Sequence, residues 1–210
     1  MIPLHTAPMD WPGATVVIIA SGPSTERVDL TLIKGLPCIA VSNGFRAKPD
    51  ADVFLAGGMA FWKLNDLSQF ASPILIITKN YAPWAGIPTD DGRLVYMDRA
   101  GPEGLTDIRT ALCGSESSVT LAINYAVHRG AARIILLGCD GQPSLDGRRR
   151  VNCNQADHKL WPVRYAAHEA AMATQIGPLA ERGVGIVNCS PGSALGCYRR
   201  VDLADAIAAI

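Results

Sequence analysis

The polar residues of this chain gather in a few short turns, and each turn follows an apolar run. The first is Ser21-Gly22-Pro23-Ser24. A glycine there lets the backbone approach an anion closely. Two hydroxyls and the local N–H groups can donate to phosphate oxygens. The turn is neither a Walker A loop nor the dinucleotide fingerprint, since no Lys follows and GxGxxG is absent. An ordinary strand-to-helix turn capped by Ser24 would use the same letters. Ser42-Asn43-Gly44 is the second such turn. Asn43 offers a donor and an acceptor suited to a ribose or a base edge, though Asn-Gly is also a common plain turn. Gly114-Ser115-Glu116-Ser117-Ser118 opens a helix, where exposed N–H groups and the helix dipole favour an anion. An unoccupied N-cap reads the same way.

Three further segments carry reactive groups. Gly138-Cys139-Asp140-Gly141 places a carboxylate at the end of an apolar run, able to bind a hydroxyl pair, a metal or an acceptor group. An Asp-Gly turn is its plain alternative. Asn152 to His158 is dense in polar side chains. His158 is the general acid/base candidate there, because imidazole titrates near neutrality. Asp157 is adjacent, so its side chain diverges from His158 and does not orient it. Asn188-Cys189-Ser190-Pro191-Gly192-Ser193 supplies hydroxyls that could complete a pocket. His5, His128 and His168 read as structural or solvent-facing.

The elements that must position these turns follow from periodicity. Thr15–Ala20, Pro37–Val41, Asp52–Ala56, Pro73–Thr78, Leu94–Met97, Arg133–Leu137 and Gly185–Val187 are short continuous apolar runs, the pattern of strands buried on both faces. Thr25–Lys34 is weakly helical and Met59–Phe70 is mixed. Ser115 is expected to cap a helix with Val119, Ala122, Ile123 and Ala126 at helical spacing, closed by Gly130. Tyr81–Gly92 and Arg99–Cys113 read as loops, the latter with a helical turn near Thr106. Gln142–Asp157 is a long polar loop. Pro162 opens a helix to about Arg182, with a buried stripe of Ala166, Ala170, Ala173, Ile176 and Ala180. Residues 202–209 close the chain as a short helix, and residues 1–14 are an irregular lead-in. Strands alternating with helices predict an α/β, Rossmann-like three-layer domain with a mainly parallel sheet, one domain over residues 1–210. Ligands of such sheets bind outside the carboxyl ends of the strands. That rule selects the same turns and adds Gly57-Gly58 and Thr78–Asn80.

Composition narrows the partners. The chain has 210 residues, 49% hydrophobic, with 19 basic and 19 acidic side chains. Zero net charge argues against nucleic-acid binding by bulk charge, and Arg148-Arg149-Arg150 reads as a solvated loop. No signal peptide or membrane span is expected. Six cysteines without CxxC or Cys/His zinc spacing predict a reducing cytoplasm and no structural metal. Exposed Trp62 or Trp84 would allow self-association as a homo-oligomer.

Taken in order, these segments resemble a known superfamily. Val16 through Ser24 is similar to the opening of the MptE-like family (6-hydroxymethylpterin diphosphokinase-like) and of the related family 42 sialyltransferases. Ser42-Asn43 matches both. So do Gly114-Ser115 through Ser118-Val119, Gly130 through Asp140, and Val187 through Leu195. The resemblance spans roughly residues 15 to 200. It implies a Rossmann-like domain and transfer from a nucleotide: a pyrophosphoryl group from ATP to a pterin alcohol, or a sugar from a CMP-linked donor, without metal and with a histidine base. Short members are common in bacteriophage genomes, which implies the host cytoplasm.

By that resemblance Gly22 and Ser24, with Ser21 and Pro23, face the phosphates and Asn43 the nucleotide. Gly57, Gly114, Ser115, Ser117, Ser118, Asp140 and Gly141 line the pocket with Asn188 and Ser190, and His158 takes the base role. Two departures matter. Leu55-Ala56-Gly57-Gly58 lacks the Asp that many relatives carry after the third strand, which weakens a metal-dependent diphosphokinase. Only His158 stands where relatives are His-rich. The leading expectation is a glycosyltransferase with a nucleotide-sugar donor, no required cofactor, catalytic His158 and Asp140, and a small-molecule, glycan or modified-base acceptor. The alternatives are an ATP-dependent diphosphokinase with Mg²⁺ on Asp140 and Asp157 or Asp146, and a non-catalytic nucleotide-binding phage protein.

Overall fold

The computed structural model describes residues 3–57, 61–62, 65–78, 91–114, 117–144, 147 and 161–210. Among them the apolar runs form one parallel sheet of eight strands. These are β1 (Thr15–Ile19), β2 (Cys38–Val41), β3 (Val53–Leu55), β4 (Leu75–Thr78), β5 (Leu94–Gly101), β6 (Ala111–Cys113), β7 (Arg133–Leu137) and β8 (Gly185–Asn188). The order across the sheet is β6-β5-β4-β3-β2-β1-β7-β8, every neighbour parallel. Val16 to Ile19 of β1 have no solvent exposure, and each such side chain contributes about 1.5–3 kcal/mol by leaving water.

Alternate residues of each strand serve opposite faces. Val16 and Ile18 join a core with α1 (Ser118–His128), α2 (Trp161–Ala173) and α3 (Ile176–Glu181). Val17 and Ile19 join a second core with Phe45, Phe54, Trp62 and Phe70, closed by α4 (Leu203–Ala208). The expected three-layer Rossmann-like domain is therefore present. The weakly helical Thr25–Lys34 resolves into two 3-10 turns, Pro23–Arg27 and Leu30–Ile33. No helix of the described residues is long and apolar enough to cross a membrane.

Several expectations need correction. Arg99–Cys113 is not simply a loop: β5 runs on to Gly101, and Ala111–Cys113 forms β6 at the sheet edge. The helix expected from Pro162 to Arg182 breaks at Thr174-Gln175. Gln175 turns inward, and its Nε2 donates to Gly104 O and Thr120 O at 3.0 Å each. The buried face is Ala171, Met172, Gln175 and Leu179. Ala166, Ala170, Ala173, Ile176 and Ala180 are exposed instead. α1 is capped by Ser117, whose Oγ accepts from Val119 N. Ser115 lies outside the described residues. Trp62 is buried, its Nε1 donating to Ala56 O at 2.9 Å, so it offers no surface for self-association. The lead-in has no regular structure but is tied down: Arg129 pairs with Asp10 and lies 3.7 Å over the Trp11 ring. The five described cysteines are unpaired.

Asn124 of α1 holds the short β6 in place. Its Oδ1 accepts from Cys113 N at 2.8 Å and its Nδ2 donates to Thr106 O at 3.2 Å. It has no solvent exposure. Replacing Asn124 by Ala strands the Cys113 and Thr106 groups, so urea unfolding should show a loss of about 2–3 kcal/mol.

Candidate functional site

β1 lies between β2 and β7. The chain leaves β1 toward one edge of the sheet and reaches β7 only after building that edge, so the strand order reverses at the β1/β7 pair. That pair is the topological switch point, where open α/β sheets bind ligands. The turn Ser21–Ser24 and the segment Gly138–Gly141 both emerge there. Their backbones stay bonded beyond the strands: Ala20 N donates to Leu137 O at 2.7 Å and Gly22 N to Gly138 O at 2.8 Å.

The structure brings Ser24 and Asp140 together. Ser24 N donates to Asp140 Oδ2 at 2.9 Å, and Ser24 Oγ donates to Asp140 Oδ1. Glycine is required at position 22 by this approach: a Cβ there would lie 2.5 Å from Asp140 Cγ. The groups expected to face a phosphate thus hold a carboxylate of the chain itself. Burial pushes the Asp140 carboxyl above the usual carboxylate range, while the Ser24 hydrogen bonds and nearby Arg27 pull it back in part. Pro23 is buried in the 3-10 turn and Ser21 remains partly exposed at its rim.

Asn188 and Ser190 lie behind this pair rather than in front of it. Cys139 N donates to Ser190 Oγ at 2.8 Å, and Asn188 Nδ2 donates to Cys139 O at 3.2 Å. Ser193 Oγ donates to Cys139 O at 2.7 Å, and Ala194 N to Asp140 O at 2.7 Å. Gly141 packs against Leu195. The last turn is a buttress that fixes residues 139–140.

A second cluster forms where β3 meets the start of α1. Gly57 N donates to Ser118 Oγ at 3.0 Å. Arg99 Nη2 lies 3.8 Å from where a Gly57 Cβ would sit. Arg99 escaped sequence reasoning because β5 was expected to stop at Met97. Carrying the strand further along the run would have delivered its guanidinium to this edge. Ser117 and Gly114 are buried behind the α1 start, Ser117 as cap and Gly114 against Thr120.

Asn43 follows β2, next to the switch point. Gly44 beside it packs on the Ile19 carbonyl, where no Cβ fits. Ser42 has φ +50°, the left-handed region, unlike every other described non-glycine residue. Strain of this kind gathers at functional sites. Asn43 keeps 7% of its surface and has no hydrogen-bond partner among the described residues.

His158, Ser115, Asp146, Asp157, Arg148–Arg150 and Trp84 lie outside the described residues. Among the described residues no three His, Cys, Asp or Glu side chains converge as metal ligands. Two other histidines sit in structural contacts: His5 Nε2 meets Tyr125 Oη at 3.2 Å, and His128 is buried with Nε2 3.0 Å from Ala111 O.

Asp140 carries a pH dependence whose sign is fixed. Its native carboxyl holds a proton more tightly than its unfolded one. Stability linked to it is full below the ordinary carboxylate value and is lost as pH rises through the raised native value. Asp140→Asn mimics the protonated form. Melts of both proteins across the acid range should move in the variant's favour as pH rises, and a pH-independent difference would contradict the assignment.

No protein-family model matches this chain, and no curated protein matches it. Among solved structures it is similar to the MAf glycosyltransferase from Magnetospirillum magneticum AMB-1, at TM-score 0.56 and 18% identity. The likeness covers 95% of this chain and 35% of that one, so this chain spans about a third of its neighbour's length. At that identity the likeness shows the fold alone, a Rossmann-like α/β domain shared with part of that structure.

Proposed function

We propose that the chain is a nucleotide-dependent transferase that moves a sugar from a nucleotide-sugar donor to a hydroxyl acceptor. The observation that carries this reading is Asn43. Its side-chain amide makes no hydrogen bond among the described residues and is not sealed from solvent, so its donor and acceptor stay open at the carboxyl edge for a nucleotide. Asn43 sits beside the switch point, between the Ser24–Asp140 pair and the Gly57–Ser118–Arg99 cluster in strand order. The glycosyltransferase-like fold and the resemblance to the MptE-like and family 42 sialyltransferase families agree with it.

In this mechanism Asn43 orients the nucleotide, and backbone and hydroxyl donors at the edge stabilise the departing phosphate. His158 takes the proton from the acceptor hydroxyl as general base. The polar segment that carries His158 begins at Gln142, two residues after Asp140 in the sequence. The transfer itself needs no metal. A diphosphokinase would instead need Mg²⁺ held by Asp140 and Asp157 or Asp146, and among the described residues no metal-binding cluster forms around Asp140.

A thermal-shift screen with CMP, CDP, UDP, GDP and ATP tests the reading. A bound nucleotide at a hundredfold its Kd should raise the melting temperature by about 5–10 °C. No shift with any of them would sink the proposal. With the nucleotide so identified, His158→Ala should abolish transfer and keep the shift. Turnover lost to a chelator would favour the diphosphokinase.

A further inference from the structure

We infer that Asp140 reads a hydroxyl pair of the bound nucleotide and keeps its phosphates away from the Ser21–Ser24 turn. The inference rests on the nucleotide reading above and fixes which end of the ligand meets the switch point.

A phosphate at this turn would need the Ser24 N–H and hydroxyl, and the space that Gly22 leaves open. All three are taken. Both Ser24 donors end on the two oxygens of Asp140. The carboxyl fills the volume beside Gly22, its Oδ1 2.6 Å from where a Cβ would stand. A ligand phosphate placed there would face a carboxylate at contact distance with both Ser24 donors already engaged, and like charges so placed oppose one another.

The carboxyl is also held where it is. Hydrogen bonds from Ser193 Oγ to Cys139 O, from Cys139 N to Ser190 Oγ, and from Ala194 N to Asp140 O fix the backbone on both sides. Arg27, the nearby cation that pulls the carboxyl pKa down, is itself anchored by donating from Nη2 to Pro191 O at 2.7 Å. Each Asp140 oxygen accepts one Ser24 hydrogen and has capacity for another. Two adjacent acceptors of that kind match two adjacent hydroxyls, the arrangement on a ribose. Asp140 is thus a specificity-determining residue. It selects a hydroxyl-bearing ligand and orients it with its phosphates toward the rest of the edge.

Calorimetric titration of the full chain with CMP, UDP and ATP, and with their 2′,3′-dideoxy counterparts, tests this. The wild-type protein should bind the ribonucleotide about tenfold or more tightly than the dideoxy form, the scale of hydrogen bonds to a charged group. In Asp140→Asn that ratio should shrink severalfold, through loss of ribonucleotide binding alone. Equal weakening of both forms would make Asp140 a structural brace and overturn the inference. So would tighter binding by Asp140→Asn that grows from mono- to triphosphate, since the phosphates would then lie beside it. A wild-type protein that binds nucleotides without preferring the ribose form overturns it with no variant needed, and leaves the transferase reading standing. Binding of no nucleotide at all removes the transferase reading and the inference together.

Discussion

The first turn remains bonded to the end of β7 after both strands have finished. Gly22 reaches the Gly138 carbonyl, and Ser24 reaches the Asp140 carboxylate. Much of the carboxyl edge is built on that junction. It holds the buried Asp140 at the switch point. It also explains the last turn, whose hydroxyls and amide point back at Cys139 rather than outward. A buried carboxylate is costly unless its oxygens are satisfied, so the junction needs Ser24 on one side and a fixed backbone on the other.

That junction divides the edge into unlike ends. At β1/β7 the chain supplies its own anion. At β3 and β5 it brings a guanidinium near Gly57 and the start of α1. Asn43 and the strained Ser42 lie between these ends in strand order. A ligand with a neutral, hydroxylated part and an anionic part would feel a direction along this edge. The fold alone is shared with a glycosyltransferase of much greater length.

The sheet was legible in the sequence because its strands are buried on both faces and read as unbroken apolar runs. β6 was not, since three residues carry too little pattern to separate a strand from a loop. It becomes a strand through Asn124 and through pairing with a β5 whose register shifts between Arg99 and Gly101. The α2–α3 face was misplaced because Gln175 counts as polar in any periodicity, yet it is fully buried where it satisfies two carbonyls. At the site, Gly22, Ser24, Asp140 and Asn43 each stood out by position after a strand. Their pairing did not, since hydrogen bonding across 116 residues leaves no local signature. Ser190 and Asn188 looked like ligands for the same reason: a hydroxyl that braces a backbone and one that binds a substrate are the same letter.

The placement of β1 has a consequence for how the chain is made. The strand at the switch point precedes the other strands of its sheet in the chain, and β7, which covers one of its edges, comes more than a hundred residues later. At ribosomal speeds that interval is on the order of ten seconds. Through it β1 is a nascent strand, apolar from Val16 to Ile19, with an open edge, the kind of segment on which chaperones act and from which aggregates nucleate. Through that interval the Ser24 side of the junction exists without Asp140, its partner beyond β7.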